Sequence, residues 1–134
     1  MIIYIDENLP SNLAKALAAL QEGRLDEDVE VRHVKDHFGE GITDEDWLPK
    51  AGKEKAVIIT KDYSIRRTRA EMEICESFGL VVIFLKPPSK SGFKYWDLVE
   101  IVIKHWENIK ECGRRERPAA YKITMRKSRP ERID

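Results

Sequence analysis

Acidic side chains stand at the ends of two short apolar segments of the chain. Asp6 directly follows the run 2–5, and Asp62 follows the run 56–60 after one lysine. A third acid, Asp44, opens a segment with a helix-like pattern. Carboxylate oxygens are ligands that suit Mg²⁺ and Mn²⁺, and carboxylates gathered together repel one another unless a cation or proton is present. A metal held by these acids can activate water and neutralise charge on a phosphodiester.

Further charged residues accompany two of these acids. Glu7, directly after Asp6, is a candidate fourth carboxylate ligand. Three basic residues flank the third acid and suit contact with a phosphate backbone: Lys61, Arg66 and Arg67. The alternative for the arginines is a solvated helix face that pairs with acids along the same helix.

Each acid also has a purely structural interpretation. The helix macrodipole alone favours Asp44 at a helix N-terminus, Asp62 can be an N-cap, and Asp6 can belong to an ordinary turn. The three acids together favour a site more than any one of them does. The histidines His33 and His37 have no partner at metal-site spacing, so they are expected at an edge or in a loop.

The elements that must position these residues alternate along the chain. Apolar runs predict five strands, at 2–5, 29–34, 56–60, 80–85 and 121–125. Helical spacing predicts helices between them, including one ended by Gly23, one starting at Thr43 with a capping box, one over 64–78 and one over 94–112. The order βαβαβαβαβ predicts a parallel sheet with helices on both faces. Ligands bind such sheets beyond the carboxyl ends of the strands, where all three acids should lie.

The bulk properties are those of a folded, highly charged domain. The 134 residues are 42% hydrophobic and 36% charged, with equal numbers of acidic and basic side chains. We expect a cytoplasmic protein without a membrane partner, because no long apolar run or signal-peptide pattern is present. Cys75 and Cys112 fall in helix-like segments and are expected to be reduced. Trp96 and Trp106, at helical spacing, are expected in the core.

Charge is distributed unevenly along the chain. Residues 1–60 carry 7 Lys and Arg against 13 Asp and Glu, whereas residues 61–134 carry 17 against 11. An acidic half beside a basic half is consistent with a metal site next to an anion-binding surface.

Four segments together resemble a known family. MIIYIDENLP, GITDEDW, VIITKDYSIRR and FGLVVIFL are similar to the PIN-like domains of prokaryotic toxin–antitoxin systems, in the divergent branch whose first motif is Asp-Glu-Asn. The resemblance covers roughly residues 1–110. It implies a three-layer α/β/α domain with a central, mostly parallel sheet, and a VapC-like ribonuclease toxin that requires Mg²⁺ or Mn²⁺ and is silenced by an antitoxin. By motif position, Asp6, Asp44 and Asp62 correspond to the metal-binding acids.

The chain departs from that pattern after its third acid. Many PIN domains place a further acid a few residues later, where this chain has Tyr63, Ser64 and Ile65, followed by Arg66 and Arg67. We expect a PIN-like domain over 1–126 and a flexible basic tail over 127–134. RNA and a cognate antitoxin are the expected partners, and formation of a homo-oligomer is left open.

Two other functions fit the same acids. A receiver-like phosphoacceptor domain also has acids after strands one and three, but it needs a hydroxyl residue after strand four and a lysine after strand five. Here Lys86 follows strand four. The other alternative is a catalytically silent module that binds RNA or a partner protein.

Overall fold

The computed structural model describes residues 1–61 and 69–133. The described strands are β1 (Ile2–Ile5), β2 (Glu30–His33), β3 (Val57–Thr60), β4 (Val81–Leu85), β5 (Ala119–Ile123) and β6 (Glu131–Arg132). The described helices are α1 (Ser11–Glu22), α2 (Val34–Phe38), α3 (Asp44–Lys53), α4 (Arg69–Ser77), α5 (Tyr95–Lys104) and α6 (Trp106–Arg114). The predicted alternation of strands and helices is therefore confirmed.

The strands form one twisted layer between two layers of helices. Their order is β2-β1-β3-β4-β5-β6; the first five are parallel, and β6 is antiparallel to β5. Alternate side chains along each buried strand face opposite sides, so the sheet has two cores. One core packs against α1, α5 and α6, and the other packs against α2, α3 and α4. The predicted α/β/α class with a mostly parallel sheet is confirmed.

The strand order reverses between β1 and β3. After β1 the chain adds β2 on one side, and β3 then lies against the other side of β1. Such a switch point leaves a crevice beyond the carboxyl ends of the two strands, because the connections leave in opposite directions. Here those ends are Ile5 and Thr60.

The long helix predicted over 94–112 is in fact two helices. α5 ends at Lys104 and α6 begins at Trp106, with His105 between them in a non-helical conformation. The His105 ring is fully buried, and its Nε2 lies 3.1 Å from the carbonyl oxygen of Thr124 beyond β5. This tertiary contact accompanies the break, which the continuous apolar stripe did not indicate.

The core prediction is wrong for Trp96, whereas Trp106 packs against the core. Trp96 is 74% exposed, because it lies in the first turn of α5, before that helix packs on the sheet. Trp106 is half-buried, and its indole N–H donates to Gln21 Oε1 over 3.0 Å. Both cysteines lie in helices and are free thiols, as predicted.

The segment predicted as a tail contributes to the sheet. Glu131 pairs with Lys122 and Arg132 with Tyr121 in an antiparallel ladder. An ion pair of 3.0 Å between Lys127 and Glu131 supports the same turn. Strand β6 was not predicted, because two charged residues carry no apolar periodicity. The domain boundary at residue 126 stays a prediction. None of the described helices has the length and apolar character needed to span a membrane.

Candidate active site

Asp6 lies at the switch point, directly beyond β1. Its side chain is only 6% exposed, and its backbone N–H donates to the carbonyl of Ile59 on β3 over 3.0 Å. The Glu7 backbone N–H donates to Asp6 Oδ1 (2.7 Å), and the Thr60 hydroxyl donates to Oδ2 (2.6 Å). Each carboxylate oxygen therefore accepts a hydrogen bond that fixes its position.

A loop before α3 reaches the same edge of the sheet. The backbone N–H of Gly41 donates to Glu7 Oε1 over 3.2 Å. Gly41 has φ +74°, a conformation that favours glycine. Since α3 begins at Asp44, this hydrogen bond ties the start of α3 to the end of β1. Glu7 itself is exposed.

Asp44 is the first residue of α3 and is partly buried. Its Oδ1 accepts a hydrogen bond of 2.9 Å from the indole N–H of Trp47. Trp47 is buried in the second core, 6.0 Å from the Tyr4 ring. Asp44 thus has at least a structural role. The capping box predicted at Thr43 does not form, because the Thr43 side chain makes no cap hydrogen bond; three acidic residues in the first turn remain to complement the macrodipole.

The other predicted site residues follow β3. Lys61 is exposed directly after the strand. Asp62, Arg66 and Arg67 lie outside the described residues. Within the described ranges, no group of three or more His, Cys, Asp or Glu side chains is arranged to hold a metal ion. Among the predicted acids that the structure describes, Asp6 is the one that is buried at the carboxyl edge of the sheet.

Two functional neighbours were missed from the sequence. Thr60 is fully buried and orients Asp6, but at the end of a VIIT run it has the pattern of any β-branched strand residue. His33 ends β2, the edge strand of the sheet, as expected. Its ring is nevertheless buried, lies 2.8 Å from the Leu9 carbonyl and accepts from the Lys35 N–H at the start of α2. It therefore fixes the turn after β1 against β2.

A second polar network, under α3, is best explained as structural. Arg32 donates to both the Tyr4 hydroxyl (2.9 Å) and Glu54 Oε2 (2.8 Å), and Tyr4 donates to Glu54 Oε1. Burial, together with the Glu54 hydrogen bond, raises the pKa of Tyr4 to about 12. Tyr4 is therefore protonated at neutral pH and is not a general base.

The buried Asp6 lies at the switch point of a doubly wound sheet. In α/β domains of this class, ligands bind beyond the carboxyl ends of the strands. The sequence profile of the PIN-like domain family matches residues 1–87, about two thirds of the chain. The chain belongs to the PIN-like domain family, and its fold is of the nuclease type. No curated protein and no solved structure matches it.

Proposed function

We propose that the chain is a metal-dependent endoribonuclease and the toxin component of a type II toxin–antitoxin system. The observation that carries the proposal is the buried Asp6 carboxylate, held by two donors at the switch point of a PIN-like sheet. A buried carboxylate costs free energy unless its partners compensate. Ligands bind parallel sheets beyond the carboxyl ends of the strands, next to a switch point, and Asp6 lies at that place.

The proposed metal ligands are Asp6, Asp44 and Asp62, with Glu7 as a fourth candidate. Mg²⁺ or Mn²⁺ bound there would supply an activated water and offset the charge of the phosphodiester. The chain's own contribution is orientation. The Glu7 N–H and the Thr60 hydroxyl hold Asp6 in one rotamer, and the Gly41 contact holds the α3 terminus nearby.

The proposed substrate contacts are cationic. Lys61, Arg66 and Arg67 follow β3, and a phosphate backbone that approaches an acidic site needs positive groups beside it. The same three residues are candidates for contacts with an acidic segment of the antitoxin. Lys61 is exposed at this edge of the sheet, which supports its part of the proposal.

Cleavage of a labelled single-stranded RNA in Mg²⁺ tests the enzyme. We expect Asp6→Asn and Asp62→Asn to abolish cleavage, because an amide keeps the shape but removes the anionic ligand, and EDTA to do the same to the wild type. The matched control is Asp28→Asn, an exposed acid before β2 at the opposite end of the sheet. Equal cleavage by Asp6→Asn and the wild type would overturn the ligand assignment.

Asp44 needs a separate variant because it also holds Trp47. Asp44→Asn keeps an acceptor for the indole, whereas Asp44→Ala removes it. We expect both to lose cleavage and only the alanine variant to lose stability. Retained cleavage in Asp44→Asn would confine this residue to its structural role.

The toxin assignment has its own test. Expression of the wild type should arrest growth, and co-expression of a small neighbouring reading frame should restore it; Asp6→Asn should not arrest growth. If the protein cleaves RNA but its expression does not arrest growth, the ribonuclease assignment stands and the toxin role is overturned.

The receiver-like alternative is weakened by the ends of two strands. β4 is followed by Lys86 and β5 by Thr124. Neither is the residue that a phosphoacceptor domain needs at that place, a hydroxyl and a lysine respectively. The alternative of a catalytically silent module predicts that the protein binds RNA but never cleaves it.

A further inference from the structure

Two adjacent aromatic rings are exposed at the start of α5. Trp96 is 74% exposed and Tyr95 is 47% exposed. Their ring centroids are 5.2 Å apart at an interplanar angle of 89°. The neighbouring Phe93 packs against the core instead, so this segment does have an aromatic residue that is buried. An exposed tryptophan leaves a large apolar surface in water, and exposed apolar patches of this kind mark binding surfaces.

The chain that precedes these rings is basic, whereas the acidic Asp97 directly follows Trp96. The segment 86–96 contains three lysines and no acidic residue. Lys86, Lys90 and Lys94 are all exposed. Among the residues that the structure describes, no carboxylate forms an ion pair with them. A cationic loop with stacking surfaces at its end has the composition of a single-strand nucleic-acid platform.

This loop lies at the same edge of the sheet as Asp6. The register aligns Ile5, Ile59 and Ile83 across β1, β3 and β4. Asp6 follows Ile5 by one residue and Lys86 follows Ile83 by three, so both leave the sheet on its carboxyl side. Two strand spacings separate them, about 10 Å, which is the reach of one or two nucleotides.

We propose that Tyr95 and Trp96 stack against unpaired bases of single-stranded RNA, while Lys86, Lys90 and Lys94 contact its phosphates. We call these five residues the α5 platform. The proposal rests on the proposed function for its choice of RNA as the polymer. The platform gives the site a preference for unpaired strands, because a base inside a duplex offers no free face to a ring.

Charge favours this occupant over a protein interface. The central part of a protein–protein interface is depleted in charged residues, whereas three exposed lysines whose side chains form no ion pair among the described residues precede the two rings. The acidic Asp97 beside them accepts a hydrogen bond from the Lys94 backbone N–H. A polyanion neutralises all three lysines at once and releases counterions. A second copy of the chain, or another protein on this face, is an outcome that the test distinguishes.

Binding can be measured without cleavage. Asp6→Asn protein in EDTA is titrated into a fluorescently labelled single-stranded RNA of twelve nucleotides, and anisotropy is recorded. We expect Trp96→Ala in this background to weaken binding about tenfold, the typical loss for one stacked base, and Trp96→Phe to retain most of the affinity. The matched control is Leu25→Ala, which removes another exposed apolar side chain, between α1 and β2.

Salt dependence tests the lysines. Each phosphate contact on a single strand contributes a slope of about 0.7 in log affinity against log salt. The triple variant Lys86→Ala, Lys90→Ala, Lys94→Ala should therefore lower the slope by about 2. An RNA duplex of equal length should bind more weakly than the single strand and lose no affinity with Trp96→Ala.

Several results would overturn the platform. These are unchanged single-strand affinity in Trp96→Ala, an equal loss in Leu25→Ala, or a wild-type dimer that Trp96→Ala dissociates while RNA binding stays constant. The failure of the proposed function is separable from these. If the wild type cleaves no RNA but single-strand binding still depends on Trp96, the nuclease proposal fails and the platform stands. If the wild type cleaves and Trp96→Ala binds and cleaves equally well, only the platform fails.

Discussion

A buried hydroxyl is one of the donors that hold the Asp6 carboxylate. Thr60 is fully buried at the end of β3 and donates to Asp6 Oδ2. Groups that orient a metal ligand are often nearly as important as the ligand itself, because they fix the direction of its lone pairs. Through the Thr60 hydroxyl, β3 therefore helps to position Asp6, which directly follows β1.

The first prediction concerns that hydroxyl. Thr60→Val keeps the branched shape and removes the donor, and we expect cleavage to fall about 10- to 100-fold and the free energy of unfolding to fall by about 1–3 kcal/mol. Thr60→Ser keeps the donor and should retain most of the cleavage activity. Initial rates and urea unfolding measure the two effects. A serine variant as inactive as the valine variant would show that packing, and not the hydrogen bond, is responsible.

The sequence indicates the acids Asp6 and Asp44 but not the hydroxyl of Thr60. Asp6 was found because an acid ends an apolar strand, and Asp44 because it opens a helix. Thr60 could not be found in that way, since β-branched residues are common in strands and a hydroxyl has no distinguishing pattern. Its role depends on the pairing of β1 with β3, which connects residues more than fifty positions apart.

At the scale of elements, the junction of α5 and α6 contains a buried titratable ring. His105 has no exposed surface, and its Nδ1 has no hydrogen-bond partner among the described residues. Burial is the main cause that lowers the pKa of His105 below its usual value, and the charge of Lys104 acts in the same direction. The ring is therefore neutral in the folded protein at neutral pH, with Nε2 donating to Thr124.

The second prediction follows from the sign of that shift. Below about pH 6.5 the unfolded chain binds a proton at His105, whereas the folded protein resists protonation until a lower pH. The free energy of unfolding should therefore fall as the pH falls from about 6.5 to the folded pKa, and level off below it. In urea unfolding measured between pH 7.5 and 5, His105→Gln should lack this part of the decrease in the free energy of unfolding. The control is His37→Gln at the exposed His37, which should keep the wild-type pH dependence. Parallel curves for the wild type and His105→Gln would contradict the prediction.

Elements also differ in how well their positions could be predicted. The boundaries of α1 and β1 follow from local patterns and match closely. The break at His105 depends on a carbonyl beyond β5, and the buried Lys110 of α6 depends on Glu27, 83 positions earlier, at 2.8 Å. This lysine is only 1% exposed, and ion pairs with Glu27 and Glu107 compensate for its burial. Neither contact has a local signal in the sequence.

At the scale of the whole molecule, strand order determines where the chemistry lies. The sequence predicts that strands and helices alternate, which fixes the carboxyl ends on one edge. It does not predict that β3 lies beside β1, and the switch point exists only because of that placement. The boundary between the acidic residues 1–60 and the basic residues 61–134 falls directly after β3, at the carboxyl edge of the sheet.

The last prediction uses the stability of the whole domain to count metal ligands. An ion that binds only the folded state stabilises it by mass action, by about 2.7 kcal/mol at a hundredfold excess over Kd. For a domain of this size, that should raise the melting temperature of the wild type by roughly 10 °C in Mg²⁺. Asp6→Asn should gain much less, because an amide replaces a carboxylate in the proposed ligand set.

Without metal, the wild type should lose its advantage in stability over Asp6→Asn. Clustered carboxylates repel one another when no cation is present, so in EDTA Asp6→Asn should melt at or above the temperature of the wild type. Calorimetric or fluorescence melts at constant ionic strength measure both conditions, and Asp28→Asn should follow the wild type in each. This readout does not require RNA or turnover, so it tests the ligand set even if the nuclease substrate is unknown. Equal stabilisation of the wild type and Asp6→Asn by Mg²⁺ would place the ion away from the switch point and remove Asp6 from its coordination.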